Sequence, residues 1–269
     1  MIITQDTSHF FENYELVFVT GHPRSGTTIS YAMICSSDTV NDFIPESSFL
    51  TGLVSNFVAG YNNDVHNNEF FGGKQAFVDY AGKQIRNFVN DCWIRFSSPK
   101  VLAFKDPIMM SQLDVFRVIF PRAKFVIMVR DPKEVVSSFY SVKRKEGVEI
   151  TLQLTEVLAR NAAMDYARTI AFKNKNPDNI LLLHYDSFFD GSYGETITAA
   201  IPAIRCNPEK TWESKFVDDV QKKKTAWVTD KLGKKLDEVE KTKVNLSIEQ
   251  GEIVDRIAGP EYQKVMQIL

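Results

Sequence analysis

Four short apolar runs stand out along the chain, Leu16–Thr20, Val101–Lys105, Lys124–Arg130 and Ile180–Tyr185, and each has the length of a strand. Between them, apolar residues recur at three- and four-residue intervals. That period predicts helices over Thr27–Ser36, Lys74–Phe96, Ser111–Phe120, Pro132–Lys145 and Thr151–Lys173. Pro132 directly follows Asp131, which suits the first turn of a helix. No hairpin signal joins the strand candidates, so their alternation with helices implies a parallel sheet covered on both faces. Ligands of such sheets bind outside the carboxyl ends of the strands. The stretch 21–26, Lys105-Asp106-Pro107, Arg130-Asp131-Pro132 and Tyr185-Asp186 all fall at such ends. The polar residues with chemical promise therefore converge on one edge.

Two segments break this rhythm. Tyr61–Gly73 is rich in asparagine and glycine and reads as a surface loop, with Phe70 and Phe71 unusual in it. They either anchor the loop on the body or belong to a lid over an acceptor. Residues 222–243 carry Lys222–Lys224, Lys234, Lys235, Lys241 and Lys243 among interspersed acids, which suits a solvated helix.

Composition narrows the class. At 269 residues the chain has room for one large α/β domain. Its formal net charge of −2 gives no global field for nucleic acid or an anionic membrane, so an anion site must come from local arrangement. Cys35, Cys92 and Cys206 are odd in number and far apart, which offers neither metal-ligand spacing nor a disulfide framework. The N-terminal MIITQDTSHFFENYEL lacks a basic region followed by an apolar one, and no run reaches about eighteen apolar residues. These features make a cytoplasmic protein without a membrane span the expectation.

The densest chemistry lies in Gly21-His-Pro-Arg-Ser-Gly26-Thr27-Thr28, where a strand feeds a glycine-bracketed turn that opens a helix. Backbone N–H groups and a helix N-terminus converge there on one point, a geometry that binds anions. The glycine spacing is that of a Walker A loop, but Thr27 stands where the lysine belongs and the cation is Arg24, within the loop. Such a loop suits a donor group of lower charge than a triphosphate. Pro23-Arg-Ser-Gly-Thr-Thr28 resembles the 5′-phosphosulfate loop of sulfotransferases that use 3′-phosphoadenosine 5′-phosphosulfate (PAPS), in the arginine form of tyrosylprotein and many bacterial members. The animal tyrosylprotein enzymes are membrane-anchored, and no such anchor is read in this sequence.

A second resemblance lies in Phe125–Ser138, a strand, a charged turn and a helix carrying serines. In sulfotransferases the arginine and serine at this spacing hold the 3′-phosphate of PAPS, which assigns that role to Arg130 and Ser138. A structural salt bridge from Arg130 to Asp131 or Glu134, and Ser137 in place of Ser138, are the alternatives. Lys105 in Lys105-Asp106-Pro107 matches the strand-end lysine of the tyrosylprotein branch, implying stabilisation of the transferred group. Phenol and steroid sulfotransferases carry Lys-Thr-His there, with the histidine as base; Pro107 departs from that branch. Glu46, twenty-two residues after Arg24, stands near the position of the tyrosylprotein catalytic glutamate. Its competitor reading is a turn, Pro45–Ser48, that caps a helix over Phe49–Ala59. Asp42 and His22 are the reserve bases.

Tyr185 ends the fourth strand where the family places a tyrosine beside the nucleotide, although core packing explains a strand-end tyrosine as well. His184 is expected to face a helix. Trp212 or Trp227 is a candidate to stack on adenine, and the late lysines could close over the donor as a basic loop of the family does.

The resemblance implies a P-loop three-layer α/β/α fold with a central, mostly parallel sheet and helical elaborations, as a single domain over residues 1–269. It implies a PAPS-dependent sulfotransferase with Glu46, Arg24 and Lys105 catalytic, and Arg24, Ser25, Gly26, Thr27, Thr28, Arg130, Ser138 and Tyr185 on the donor. No metal is required. The acceptor could be a small molecule, glycan, lipid or peptide. A P-loop kinase using ATP and magnesium, or an inactive nucleotide-binding protein, is the alternative.

Overall fold

The structure is a computed structural model that describes residues 13–210, 235, 241 and 243–269. Four parallel strands, β1 (Glu15–Gly21), β2 (Val101–Lys105), β3 (Lys124–Val129) and β4 (Ile180–His184), form one sheet in the order β2-β1-β3-β4. The register sets Val17 beside Lys124, Glu15 beside Val101 and Phe125 beside Ile180. Each strand ends within a residue of the expected place, because a fully buried parallel strand reads as an uninterrupted apolar run.

The helices are α1 (Thr27–Cys35), α2 (Ser48–Tyr61), α3 (Lys74–Arg95), α4 (Leu113–Ile119), α5 (Pro132–Lys145), α6 (Leu152–Lys175), α7 (Ser192–Ala200) and α8 (Ile248–Met266). Helix α4 is shorter than expected, since Pro107–Ser111 forms a separate 3₁₀ turn. The Asn-rich loop also contains structure, a turn at Asp64–His66 and a π-turn at Asn67–Phe71. Within it Phe71 packs edge-on against Phe77 of α3, which is the anchoring role, whereas Phe70 is 75% exposed beside His66.

Strand alternation divides the interior. Leu16, Phe18, Leu102, Phe104, Phe125 and Ile127 face one cluster with residues of α2, α3 and α4. Val17, Val19, Ala103, Val126 and Met128 face the other with α1 and α7. Phe18 lies at the centre of the first, 5.1 to 5.5 Å from the rings of Phe116, Phe120 and Phe125. Such ring pairs add ~0.5–1.5 kcal/mol each beyond their buried area. A third cluster joins α5, α6 and α8 through Val136, Tyr140, Ala162 and Val254.

The open edge at β2 is covered by the segment that follows α1. Val40 bridges Val101, the Ala103 N–H donates to Asn41 Oδ1 at 2.7 Å, and the Ser47 N–H donates to the Lys105 carbonyl at 2.9 Å. This strap climbs the sheet edge and delivers Glu46 to the carboxyl end of β2. No helix among the described residues is long and apolar enough to cross a membrane.

Candidate active site

The β1–α1 loop is built by backbone conformation. Gly21, Arg24 and Gly26 all have positive φ, at 145°, 73° and 100°. A Cβ on Gly26 would sit 2.5 Å from the Tyr185 ring, and one on Gly21 would sit 2.6 Å from the Met128 carbonyl oxygen. Only glycine satisfies both conformation and space at these positions. Arg24 has no such exemption, so its left-handed backbone is held by its surroundings. The Arg130 guanidinium does part of this, donating from Nη1 to the Arg24 carbonyl at 3.0 Å.

Lys105 connects the loop to the strap. Its ammonium donates to Glu46 Oε1 at 2.7 Å and to Thr28 Oγ1 at 3.2 Å. The lysine side chain is 4% exposed and the glutamate 49%, so the carboxylate spans the distance from the buried cation to solvent. Burial pushes the Lys105 ammonium below its ordinary pKa, and Glu46 pulls against that shift. Burial, and then the positive Arg130 nearby, likewise lower Arg24. Two cations are thus held close together at the end of the sheet with Glu46 as their nearest carboxylate.

Asp106 fastens the end of β2. One carboxylate oxygen accepts the Ile108 N–H at 2.9 Å and the other accepts the Thr51 hydroxyl at 2.7 Å, tying the 3₁₀ turn to α2. Its chemistry is absorbed by that structural work.

The β3–α5 turn is built from side chains. Asp131 caps α5 by accepting the N–H groups of Lys133 and Glu134, with Pro132 in the first turn. Arg130 Nε donates to Glu134 Oε2 at 2.8 Å, and the guanidinium lies 3.9 Å over the Tyr185 ring. The salt bridge expected as an alternative is thus present, to Glu134, while Arg130 Nη2 is buried with no hydrogen-bond partner among the described residues. The Ser138 hydroxyl accepts from Arg24 Nε at 3.0 Å, which ties the two turns together. Ser137 accepts the Asn245 N–H at 2.8 Å and so serves the chain after the late lysines.

The remaining candidates fall into place around these. Ser25 is fully buried and Thr27 nearly so, in the turn and the first turn of α1. Tyr185 is 2% exposed, and its ring packs against Gly26 and edge-on against the rings of Phe188 and Phe189. That burial makes it a platform beneath Arg130. His184 bonds the Tyr262 hydroxyl of α8 at 2.9 Å, as its expected helix-facing position requires. His22 Nδ1 pairs with Asp165 Oδ2 of α6 at 2.7 Å, and Arg168 braces the same carboxylate at 2.9 Å. His22 therefore fixes the loop from below, and Asp165 lies 143 residues away with no local signal to reveal it. Lys241 bridges Glu134 Oε1 at 2.8 Å and Asp186 Oδ1 at 2.6 Å, so one late lysine does reach this edge. Trp212, Trp227 and Lys222–Lys224 lie outside the described residues.

A glycine-bracketed strand-to-helix turn, a strand-end lysine paired with a carboxylate and a second buried arginine thus meet at the carboxyl edge of a parallel sheet, the edge at which ligands of such sheets bind. The profile of the Sulfotransferase family matches residues 17–198, and the chain belongs to that family. A Caenorhabditis briggsae protein provisionally named protein-tyrosine sulfotransferase is 32% identical over 51% of this chain and 46% of its own length. Protein-tyrosine sulfotransferase 1 of Rattus norvegicus is 29% identical over 51% of this chain and 37% of its own. The match thus spans less than half the length of these curated relatives. Among solved structures, the sulfotransferase domain from the Synechococcus PCC 7002 olefin synthase superposes with a TM-score of 0.53 at 14% identity, covering 92% of this chain and 96% of that domain. It supports the fold.

Proposed function

We propose that the chain transfers a sulfuryl group from PAPS to a hydroxyl or amine of its acceptor and releases 3′-phosphoadenosine 5′-phosphate (PAP). The observation that carries this reading is the Thr28–Lys105–Glu46 chain of hydrogen bonds, which joins the anion loop to a half-exposed carboxylate. PAPS supplies an activated sulfuryl group on a phosphate leaving group. Arg24, Ser25, Gly26, Thr27 and Thr28 cradle the phosphosulfate end through the loop backbone and the α1 N-terminus. Arg130 fits the 3′-phosphate, because a buried guanidinium nitrogen without a partner among the described residues is matched by a phosphate oxygen. Tyr185 and Ser138 support that site by holding the two arginines in place.

Glu46 takes the proton of the acceptor as its oxygen or nitrogen bonds to sulfur. Lys105 and Arg24 stabilise the charge that develops as the bridging S–O bond breaks. These cations are fixed before reaction, so no reorganisation is needed when charge appears.

Calorimetric titration with PAP, AMP, and ATP with magnesium tests the donor class. Strong preference for PAP is expected. Preference for ATP with magnesium would overturn the reading in favour of a kinase.

A further inference from the structure

A cavity of about 270 Å³ opens between the strap, the start of α2 and the last turns of α3. Its walls are Ile44, Phe49, Leu50, Phe88, Phe96 and Phe104, with Glu46 in the same lining. Phe49 stands 66% exposed with its ring edge-on to Phe88 at 5.1 Å, a large aromatic surface left open to solvent. Such a surface is the usual lining of a small-ligand pocket. Arg95, exposed in the last turn of α3, completes the lining and is in no ion pair among the described residues.

We infer that this cavity receives the acceptor, and that the acceptor is a small aromatic alcohol carrying a carboxylate, with its hydroxyl toward Glu46 and its carboxylate toward Arg95. The inference rests on the sulfotransferase reading above and names its substrate class. Volume sets the size: the cavity lies near the lower end of ligand sites, which begin at about 300 Å³, and so takes one ring with a short tail. The lining sets the polarity. Ser47 offers the only hydroxyl among the described lining residues, and that group already donates to the Lys105 carbonyl at 3.4 Å. A saccharide would bury hydroxyls against phenylalanine, at a cost of ~1–3 kcal/mol for each group left unpaired. A flat ring loses nothing there, and aromatic pairs favour the edge-to-face contacts that Phe49 and Phe88 present. Arg95 then supplies the one cation among the described lining residues, with a fork suited to a carboxylate.

Two readouts test this. The first is PAP formation from PAPS with 3-(4-hydroxyphenyl)propanoate, its primary amide and lactose, in the wild-type protein and Arg95→Gln. The carboxylate is expected to have a KM ~10-fold below that of the amide, the worth of a charge-assisted hydrogen bond, and Arg95→Gln is expected to bring the two near parity. The second is the rate at which a methanethiosulfonate reagent modifies Cys92, a half-buried thiol in the cavity wall, followed by peptide mass spectrometry. The phenolic carboxylate is expected to slow that modification without any donor present. Turnover of lactose with no protection of Cys92 would overturn the inference and leave the sulfotransferase reading intact. Protection of Cys92 in a protein that binds no PAP and makes no product would support the cavity and remove the donor reading instead.

Discussion

The two strand-to-helix turns at the working edge solve similar problems by different means. The β1–α1 turn uses backbone: three residues of positive φ, two of them glycines that admit no Cβ, fold the chain tightly between strand and helix. The β3–α5 turn keeps a capped, proline-started helix and uses side chains, with Arg130 held between Glu134, the Arg24 carbonyl and the Tyr185 ring. The first arrangement brings a buried lysine and a carboxylate to the same place, which in the proposed reaction meets changing charge. The second holds its arginine in an ion pair, which in the same proposal meets the unchanging charge of the 3′-phosphate.

That division is most sharply broken by Glu46→Gln, expected to lower kcat by ~10²–10⁴-fold, the worth of a positioned base, while PAP affinity stays nearly unchanged. Stopped-flow product formation and calorimetry separate the two effects, and unchanged turnover would remove Glu46 as the base.

Lys105→Ala is expected to lower kcat by ~10²–10³-fold, because it acts on developing charge. The same residue sets a pH dependence. Burial holds its pKa below the ordinary 10.5, so the protonated form, and the activity that needs it, are lost as pH rises through that lowered value. An alkaline limb of kcat below pH 10.5 is therefore expected; a profile flat beyond it contradicts the role. The unfolded chain binds more protons in that window, so Lys105 makes stability rise with pH there.

Arg130→Lys keeps the charge and loses the fork. PAP binding should weaken by ~10–100-fold and AMP binding much less; equal losses would argue against a 3′-phosphate site. Gly26→Ala sets a Cβ against the Tyr185 ring in left-handed backbone, and a loss of ~1–3 kcal/mol of stability in denaturant unfolding is expected. Lys241→Ala should cost the least, ~0.2–1 kcal/mol, because its two ion pairs are partly solvated.

The strands and the long helices were legible because each carries its own periodicity. Helix α8 was not, since Gly251, Gly259 and Pro260 interrupt its sequence and its support comes from α6 across the third core cluster. The glycine-bracketed turn was legible for a local reason too, its glycines being required by positive φ. The partner of Ser138 was not. Arg24 lies 114 residues from it, and the eight-residue spacing to Arg130 suggested only a phosphate shared with that arginine. The bracing of His22 by Asp165 is hidden in the same way, because sheet order and helix docking, rather than sequence distance, bring those groups together.

The strap that delivers Glu46 also closes the sheet. Parallel strands at an open edge present unpaired N–H and C=O groups that template association with another chain. Asn41 and the Ser47 N–H occupy such groups on β2. Peeling the strap away would uncover Ala103 and Lys105 for strand addition in the same event that removes the carboxylate from its lysine. The fold thereby ties the placement of its proposed base to its defence against aggregation, and selection for solubility would preserve the geometry of the site.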